Sequence, residues 1–160
     1  MNDGTKRIHK KIAILGGSTT YDIKVCMELF LLNYGIEPEF YESEYNQYYQ
    51  DAMFPSDHFL SFKPDIIYLY TTNRNITAYP SMTDSKESVD HLIDAEVSKF
   101  TAMWDKLEAT FHCPIIQNNF EKPMYRLLGN KDASDVRGKV NFISRLNQKW
   151  AEYAQANDNF

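Results

Sequence analysis

A short apolar run that ends in two glycines constrains the fold more than any other feature of this sequence. Residues 11–16 are almost continuously apolar, and the segment Ile12-Ala-Ile-Leu-Gly-Gly-Ser-Thr-Thr20 ends in small and hydroxylated residues. Such a run is typical of a parallel strand that is covered on both faces. Apolar residues then follow at helical spacing over residues 20–34. The pattern therefore predicts a strand-turn-helix unit with Ser18 at the turn.

The same alternation continues along the chain and predicts an α/β fold. The further predicted elements are strands at residues 36–42, 65–71 and 114–117 and helices at residues 84–111 and 136–154. Repeated strand-helix units form parallel sheets with right-handed crossovers. Pro38 favours an edge position for the second strand. We therefore expect a three-layer sandwich with strand order 2-1-3-4, room for a fifth strand, and helices on both faces, as in flavodoxin-like folds.

Composition argues against several classes of protein. The 160 residues include 17 basic and 22 acidic side chains, with a net charge of −5 and no basic stripe, so no nucleic-acid surface is predicted. No apolar run reaches the length of a membrane helix, and the first residues contain no apolar stretch typical of a secretory leader, so no membrane partner is expected. Cys26 and Cys113 each lie in an apolar stretch. That setting predicts two buried free thiols and a reducing, cytoplasmic location.

The predicted organisation is one domain with a short lead-in. Residues 1–10 carry the basic cluster Lys6-Arg-Ile-His-Lys-Lys11 and are expected to be flexible, whereas residues 11–160 form the α/β domain. The sequence ends directly after the last predicted helix, where a fifth strand would be due. We therefore expect the domain to be a fragment of a longer protein.

Polar residues follow all four predicted strands at their carboxyl ends. In an open parallel sheet, ligands bind just outside these ends. The segments are Ser18, then residues 44–47, 71–75 and 117–119. Their convergence on one edge predicts a site for a polar small molecule. No pair of residues has zinc spacing, so no metal and no other cofactor is expected.

Ser18 is compatible with more than one role. An α/β protein places a serine nucleophile or a bound phosphate at this turn. Spacing alone favours a plainer role, in which Ser18 or Thr19 caps the following helix. A nucleophilic serine also needs a base. None of the four histidines is predicted at the carboxyl edge: His9, His58, His91 and His112.

Three asparagines are candidates for an oxyanion hole. Asn73 and Asn75 follow the third strand and can donate side-chain N–H bonds to an oxyanion. An Asx turn that leaves the strand explains them equally well. Asn46 follows the second strand, where its backbone N–H can join the same hole.

Four segments of the sequence resemble the amino-terminal domain of FkbH-like proteins. They are Gly16-Gly-Ser-Thr-Thr20, Glu44-Tyr-Asn-Gln-Tyr-Tyr-Gln50, Thr72-Asn-Arg-Asn75 and Gln117-Asn-Asn-Phe120. Residues 125–139, followed by residues 141–147, strengthen the resemblance, which covers about residues 10–160. It implies an SGNH-hydrolase-like domain joined to a carboxyl-terminal phosphatase-like domain of the haloacid dehalogenase superfamily, subclass IIIC. The Asp-x-Asp motif of that second domain does not occur in this sequence.

The resemblance implies a role in biosynthesis. Proteins of this kind load a glyceryl unit from a phosphorylated glycerate onto an acyl carrier protein in polyketide pathways, or act in surface-polysaccharide pathways. We therefore expect either a hydrolase or acyltransferase domain, or a non-catalytic module that positions the carrier protein or the substrate for the phosphatase-like domain. A phosphate-binding flavodoxin-like domain is a third hypothesis. The stretch that could face an acidic carrier contains Lys122, Arg126, Lys131, Arg137 and Lys139.

The resemblance also assigns roles to residues. Ser18 matches the nucleophile of SGNH hydrolases, Asn73 their oxyanion asparagine, and Asn46 their oxyanion glycine. The expected substrate-binding residues are Gly17, Thr19, Gln47, Arg74, Gln117 and Asn118. The sequence departs from the SGNH pattern at Gly17, where Asp is usual, and it lacks the Asp-x-x-His block that supplies the base. A serine without that base loses most of its activation, so this chain is expected to be a poor esterase.

Overall fold

The sheet contains four parallel strands in the order β2-β1-β3-β4. The structure is a computed structural model that describes residues 6–160. The strands are β1 (Ile8–Gly16), β2 (Ile36–Glu42), β3 (Ile66–Tyr70) and β4 (Ile115–Gln117). This confirms the predicted α/β class, the parallel pairing and the strand order. The described part of the chain contains no fifth strand.

Five helices and two 3₁₀ turns accompany the four strands in the described part of the chain. They are α1 (Tyr21–Asn33), α2 (Tyr48–Met53), α3 (Asp57–Phe62), α4 (Lys86–Phe111) and α5 (Lys139–Ala156), with 3₁₀ turns at Asn73–Asn75 and Gly129–Ala133. The prediction included α1, α4 and α5 but missed α2 and α3. Each of those two helices has only six residues, which is too short to show a helical period in the sequence.

The first strand begins earlier than predicted. Ile8 pairs with Ile36 and Lys10 with Pro38, so residues 8–10 belong to β1 and not to a flexible lead-in. Gly35 has φ +75°, the left-handed conformation expected where the chain leaves α1. Its carbonyl accepts a hydrogen bond of 2.9 Å from the Ile8 N–H, which extends the pairing with β2. Residues 1–5 of the predicted lead-in lie outside the described residues.

The main hydrophobic core lies on one face of the sheet, beneath α2 to α5. The inward-facing strand residues are Ala13, Leu15, Ile67, Leu69 and Ile115. An aromatic cluster from α4, α5 and the loop after β4 packs over them, with Trp104 and Trp150 ring centroids 5.2 Å apart. The apolar residues of α5 that face this core, Val140, Ile143, Leu146 and Trp150, are all buried. On the opposite face of the sheet Ile12 and Ile14 of β1 are buried, whereas α1 has no buried residue of its own.

A buried carboxylate fixes the start of α5. Asp132 is almost fully buried, and its Oδ2 accepts a 2.8 Å hydrogen bond from the Val140 N–H in the first turn of the helix. Its Oδ1 accepts a 3.3 Å bond from the Leu128 N–H. Negative charge at a helix N-terminus is favourable. Gly138 is the N-cap residue and lies directly against this turn, so α5 begins at Lys139 rather than at the predicted residue 136.

The two cysteines differ in exposure, which corrects one prediction. Cys113 is buried as expected, whereas Cys26 is exposed because nothing in the described chain covers the outer side of α1. Burial, and to a lesser degree the negative charge of Asp65, raises the pKa of the Cys113 thiol to about 11.

We expect one thiol per chain to react rapidly with a water-soluble disulfide reagent at pH 8. The thiolate is the reactive form of cysteine, and of the two cysteines only Cys26 is exposed to the reagent. Cys113 is expected to react only after unfolding. Cys26→Ser removes the rapid reaction and Cys113→Ser preserves it. Two rapidly reacting thiols in the folded protein would contradict the burial of Cys113.

Candidate functional site

One asparagine amide connects the loops that follow three of the strands. Asn75 lies in the 3₁₀ turn after β3, and its Nδ2 donates to the Gly17 carbonyl at 2.8 Å and to Asn46 Oδ1 at 3.1 Å. Gly17 follows β1 and Asn46 follows β2. The carboxyl edge of the sheet therefore brings these three loops together next to Ser18.

The Asn75 turn is held in place by hydrogen bonds on both sides. Asn75 Oδ1 accepts from the Thr72 backbone N–H at 2.8 Å and from the Thr72 hydroxyl at 3.3 Å, in a reciprocal capping arrangement. On the side of α4, Lys99 Nζ donates to the Asn75 carbonyl at 3.5 Å and to Thr77 Oγ1 at 3.1 Å. Glu96 is buried, accepts from the Thr77 N–H and pairs with Lys99. The Asn75 side chain therefore has little freedom to rotate.

Ser18 does not cap α1. The N-cap residue is Thr20, and its hydroxyl donates to Glu42 Oε1 at 2.5 Å instead of accepting from the helix. Thr19 is exposed and Ser18 is half-buried. Within residues 6–160 the Ser18 hydroxyl forms no hydrogen bond, so it is available to a ligand.

Glu42 links the start of α1 to the end of β2. It accepts from the Thr20 hydroxyl and forms a short ion pair with Lys24. Burial raises the pKa of Glu42, but the hydrogen bonds from Lys24 and Thr20 outweigh it, so the pKa lies below its ordinary value. The carboxylate is therefore charged at neutral pH and holds the turn that contains Ser18.

Asn46 has the backbone conformation of a glycine. Its φ is +59°, in the left-handed region that Gly adopts freely and Asn tolerates better than most residues. The SGNH resemblance places a glycine at this position. The structure thus shows how Asn can stand there, with its side chain bonded to Asn75.

Asn73 is not part of this contact. Its Nδ2 donates to the Glu121 carbonyl at 3.3 Å, and its backbone N–H donates to Glu121 Oε2 at 2.9 Å. Its own carbonyl accepts from the Tyr79 hydroxyl at 2.6 Å. Side chains two positions apart in a 3₁₀ turn point in different directions, because each residue rotates the chain by about 120°. Asn75, rather than Asn73, is the amide that the structure places beside Gly17 and Asn46.

Gln117 and Asn118 are engaged in fixing the ends of β3 and β4. Asn118 accepts from the Thr71 N–H at 3.0 Å and donates to the Thr71 carbonyl at 2.7 Å. Gln117 donates to the Thr71 hydroxyl at 2.8 Å and accepts from Trp104 Nε1 at 3.3 Å. These bonds satisfy the buried end of β3. Both residues lie at the predicted edge, with their amides already bonded within the protein.

Arg74 and Gln47 line separate clefts at this edge. Arg74 is exposed and lines a cleft of about 380 Å³ together with Asn46, Asn75 and Lys99. It also lines a second cleft of about 350 Å³, with Asn73, Glu121, Lys122 and Lys139 among its walls. Gln47 lines a third cleft of about 460 Å³ with Glu42, Glu44, Asp51 and His58. The first of these is the cleft next to the Asn75 contact.

No histidine is positioned to activate Ser18. His58 lies in the third cleft, with its ring 5.5 Å from that of Tyr41, and neither Ser18 nor Asn75 lines that cleft. Burial raises the pKa of Asp51 there, and burial together with Asp51 raises the pKa of Tyr41 to about 12. Among residues 6–160, no group of His, Cys, Asp or Glu side chains could hold a metal ion, and no helix is long and apolar enough to cross a membrane.

A protein-family model gives the affiliation of the chain. The model described as "FkbH, N-terminal domain" matches residues 11–160. The chain belongs to this family. The search of curated proteins found no match to this chain. A solved structure that resembles it is the N-terminal part of the protein BF1531 from Bacteroides fragilis, described as containing a phosphatase domain complexed with Mg.

The similarity to the Bacteroides structure is one of fold. The TM-score is 0.80 at 20% sequence identity, and the match covers 99% of this chain. It covers 41% of the other chain, so the FkbH N-terminal domain spans less than half the length of the structure it matches.

Proposed function

We propose that this FkbH N-terminal domain binds an acyl or glyceryl group at the carboxyl edge of its sheet for transfer to an acyl carrier protein. Ser18 is the candidate nucleophile in an SGNH-like site. Asn75 takes the role of the amide donor that the resemblance assigned to Asn73. The observation that carries the proposal is the Asn75 amide bonded to both Gly17 and Asn46.

The chemistry of the site supports binding of a carbonyl group. The Asn75 amide and the free Ser18 hydroxyl lie on neighbouring loops, and an amide N–H can stabilise negative charge that develops on a carbonyl oxygen. Asn46 Oδ1 now accepts one Asn75 N–H bond. A carbonyl oxygen of a ligand can accept that bond instead, because Asn46 is exposed and its Oδ1 can then accept from water. Arg74 and Lys99 line the adjoining cleft and favour a ligand with an anionic part.

A second candidate function is a non-catalytic module that holds the carrier protein or its acyl group for a phosphatase-like domain. The observation that favours it is the absence of a base hydrogen-bonded to Ser18 within residues 6–160. A serine hydroxyl without a base is a weak nucleophile. Both candidates place the ligand at the same edge, and they differ only in whether Ser18 forms a bond to it.

We also propose that this domain works together with a phosphatase-like domain of the same polypeptide. The Bacteroides structure supports this, because its fold matches the FkbH N-terminal domain over 41% of a chain described as containing a phosphatase domain. A cytoplasmic setting and a role in polyketide or surface-polysaccharide biosynthesis complete the proposal.

The binding site is tested with two asparagine variants that differ by two positions. We expect Asn75→Ala to weaken binding of a glyceryl thioester of pantetheine about tenfold or more, because one good hydrogen bond and the loop contacts are lost. The matched control Asn73→Ala is expected to stay within about twofold of the unsubstituted protein. Titrations followed by NMR report the affinities, and the unfolding midpoint of each variant is measured alongside. Equal effects of the two substitutions would contradict the site.

The role of Ser18 is tested by ester hydrolysis. We expect the 160-residue chain and Ser18→Ala to hydrolyse a short-chain aryl ester at equal rates near background. An unassisted serine retains only the contribution of the oxyanion hole and binding, at most roughly 10³-fold over water. Rapid turnover that Ser18→Ala abolishes would reveal an unrecognised base, and His58→Ala would be the first variant to examine. The same assay on a longer polypeptide then distinguishes the two candidate functions, because only a catalytic site gives turnover that depends on Ser18.

A further inference from the structure

Helix α1 is apolar around its circumference and buries none of its residues. Its sequence, Tyr-Asp-Ile-Lys-Val-Cys-Met-Glu-Leu-Phe-Leu-Leu-Asn, contains only three charged side chains. Leu29 is 64% exposed and Phe30 is 68% exposed. A helix that is hydrophobic all round is normally found in the interior of a protein. By contrast, α5 is amphipathic and packs its apolar side into the core.

On the face of the sheet that carries α1, Ile12 and Ile14 of β1 are buried, but β3 and β4 are only partly covered. Side chains alternate between the two faces of a strand. Ile67 and Leu69 of β3 are fully buried on the core face, while Tyr68 and Tyr70 on the other face are only half-buried. Ile116 of β4 is 52% exposed on that same face. The side of the sheet that carries α1 therefore has one helix where the opposite side has several.

Two apolar depressions lie on the outer side of α1. One of about 520 Å³ is lined by residues that include Ile23, Met27 and Phe30. The other, of about 250 Å³, is lined by Cys26, Leu29, Phe30 and Asn33. Depressions of this kind accept apolar side chains from a partner.

We propose that the α1 face, defined by Val25, Leu29 and Phe30 together with Tyr68 and Ile116, is the docking surface for the phosphatase-like domain. This rests on the proposed function, which places such a domain on the same polypeptide. The size of the face selects that occupant over a second copy of the chain. A 13-residue helix is about 20 Å long and about 10 Å wide, and with two neighbouring strands it offers roughly 300–400 Å².

That area suits a tethered domain. A stable interface between free partners buries about 800 Å² on each side, whereas interfaces between domains of one chain bury about 600–1,500 Å² in total. Tethering raises the effective concentration, so a small face is sufficient. Acidic side chains at the border of the α1 face favour a partner surface of opposite charge. Asp22 and Glu28 are exposed and form no ion pair with another described residue. The docked surface should therefore be apolar with basic residues at its border.

Hydrogen exchange tests the proposal on α1 itself. The isolated 160-residue chain is compared with the longer polypeptide that carries the phosphatase-like domain. We expect the amides of residues 25–32 to exchange roughly tenfold more slowly, or slower still, in the longer polypeptide, since covered helices open less often. Leu29→Glu is expected to restore the exchange rate of the isolated chain. The matched control is Leu127→Glu, at a leucine that is 72% exposed on a different part of the surface.

The outcomes separate the two proposals. Equal exchange of α1 in both polypeptides overturns the docking surface and leaves the proposed function standing. Slow exchange in the isolated chain that depends on its concentration shows a second copy on α1 and also overturns it. A longer polypeptide that hydrolyses no phosphate ester contradicts the phosphatase-like partner, whatever α1 does. Protection that Leu29→Glu removes and Leu127→Glu preserves supports the docking surface.

Discussion

Replacing Gly138 with alanine is expected to destabilise the domain by about 3–5 kcal/mol. A Cβ at this position would lie 2.0 Å from the Asp132 carbonyl oxygen and 2.7 Å from its carbonyl carbon. Those atoms are backbone and cannot rotate away. Relief requires moving the 3₁₀ turn, which pulls the Asp132 carboxylate off the Val140 N–H and leaves a buried charge without its partner. Chemical unfolding measures the loss, and the melting temperature should fall by about 10 °C or more.

Gly129→Ala is the matched control for that loss. Gly129 lies in the same 3₁₀ turn and has φ +54°, but nothing lies within 4 Å of its Cβ position. Its substitution should carry only the strain of a left-handed alanine, about 1–2 kcal/mol. Asp132→Asn, which preserves shape and removes charge, should fall between the two. A Gly138→Ala protein no less stable than Gly129→Ala would show that the turn shifts freely.

Periodicity was sufficient to predict the sheet and the long helices. The 26 residues of α4 contain several apolar repeats, and β1 and β3 are nearly continuous apolar runs. Strand order then followed from crossover rules. The six-residue helices α2 and α3 were missed because they contain less than two turns each.

The apolar residues of α1 predicted a helix correctly, but the pattern could not show whether anything covers it. Helical spacing reports which residues share a side of the helix, not what packs against that side. The prediction that Cys26 is buried failed for this reason. The local sequence of a helix does not show which other part of a protein packs against it.

The edge of the sheet that carries the candidate site was predictable, whereas the particular asparagine was not. Asn73 and Asn75 have the same side chain and lie only two residues apart in the turn that follows β3. What separates them is the rotation of the 3₁₀ turn, which directs one amide to Glu121 and the other to Gly17. The capping pattern of Thr72 with Asn75 is the one signal in the sequence that could have favoured Asn75 as the fixed residue.

Gly17→Ala is expected to dismantle the candidate site. A Cβ on Gly17 would lie 2.5 Å from Asn75 Oδ1 and 2.6 Å from both Asn75 Cγ and Nδ2. The amide is held by Thr72 and Asn46, so it cannot swing aside without breaking those bonds. We expect a loss of about 1–3 kcal/mol in stability and a loss of ligand binding as large as that of Asn75→Ala. The same contact accounts for glycine at a position where the SGNH pattern has Asp.

A double-mutant cycle isolates that contact. In the Asn75→Ala background the three atoms closest to a Cβ on Gly17 are gone, so the second substitution should change the free energy of unfolding by less than about 0.5 kcal/mol. The coupling between the two positions should then be about 1–3 kcal/mol, well above the level for independent sites. Asn73→Ala with Gly17→Ala is the control pair, because Asn73 bonds to Glu121 and not to Gly17. Additive effects for Gly17 with Asn75, or equal coupling for Gly17 with Asn73, would contradict the geometry on which the proposed site depends.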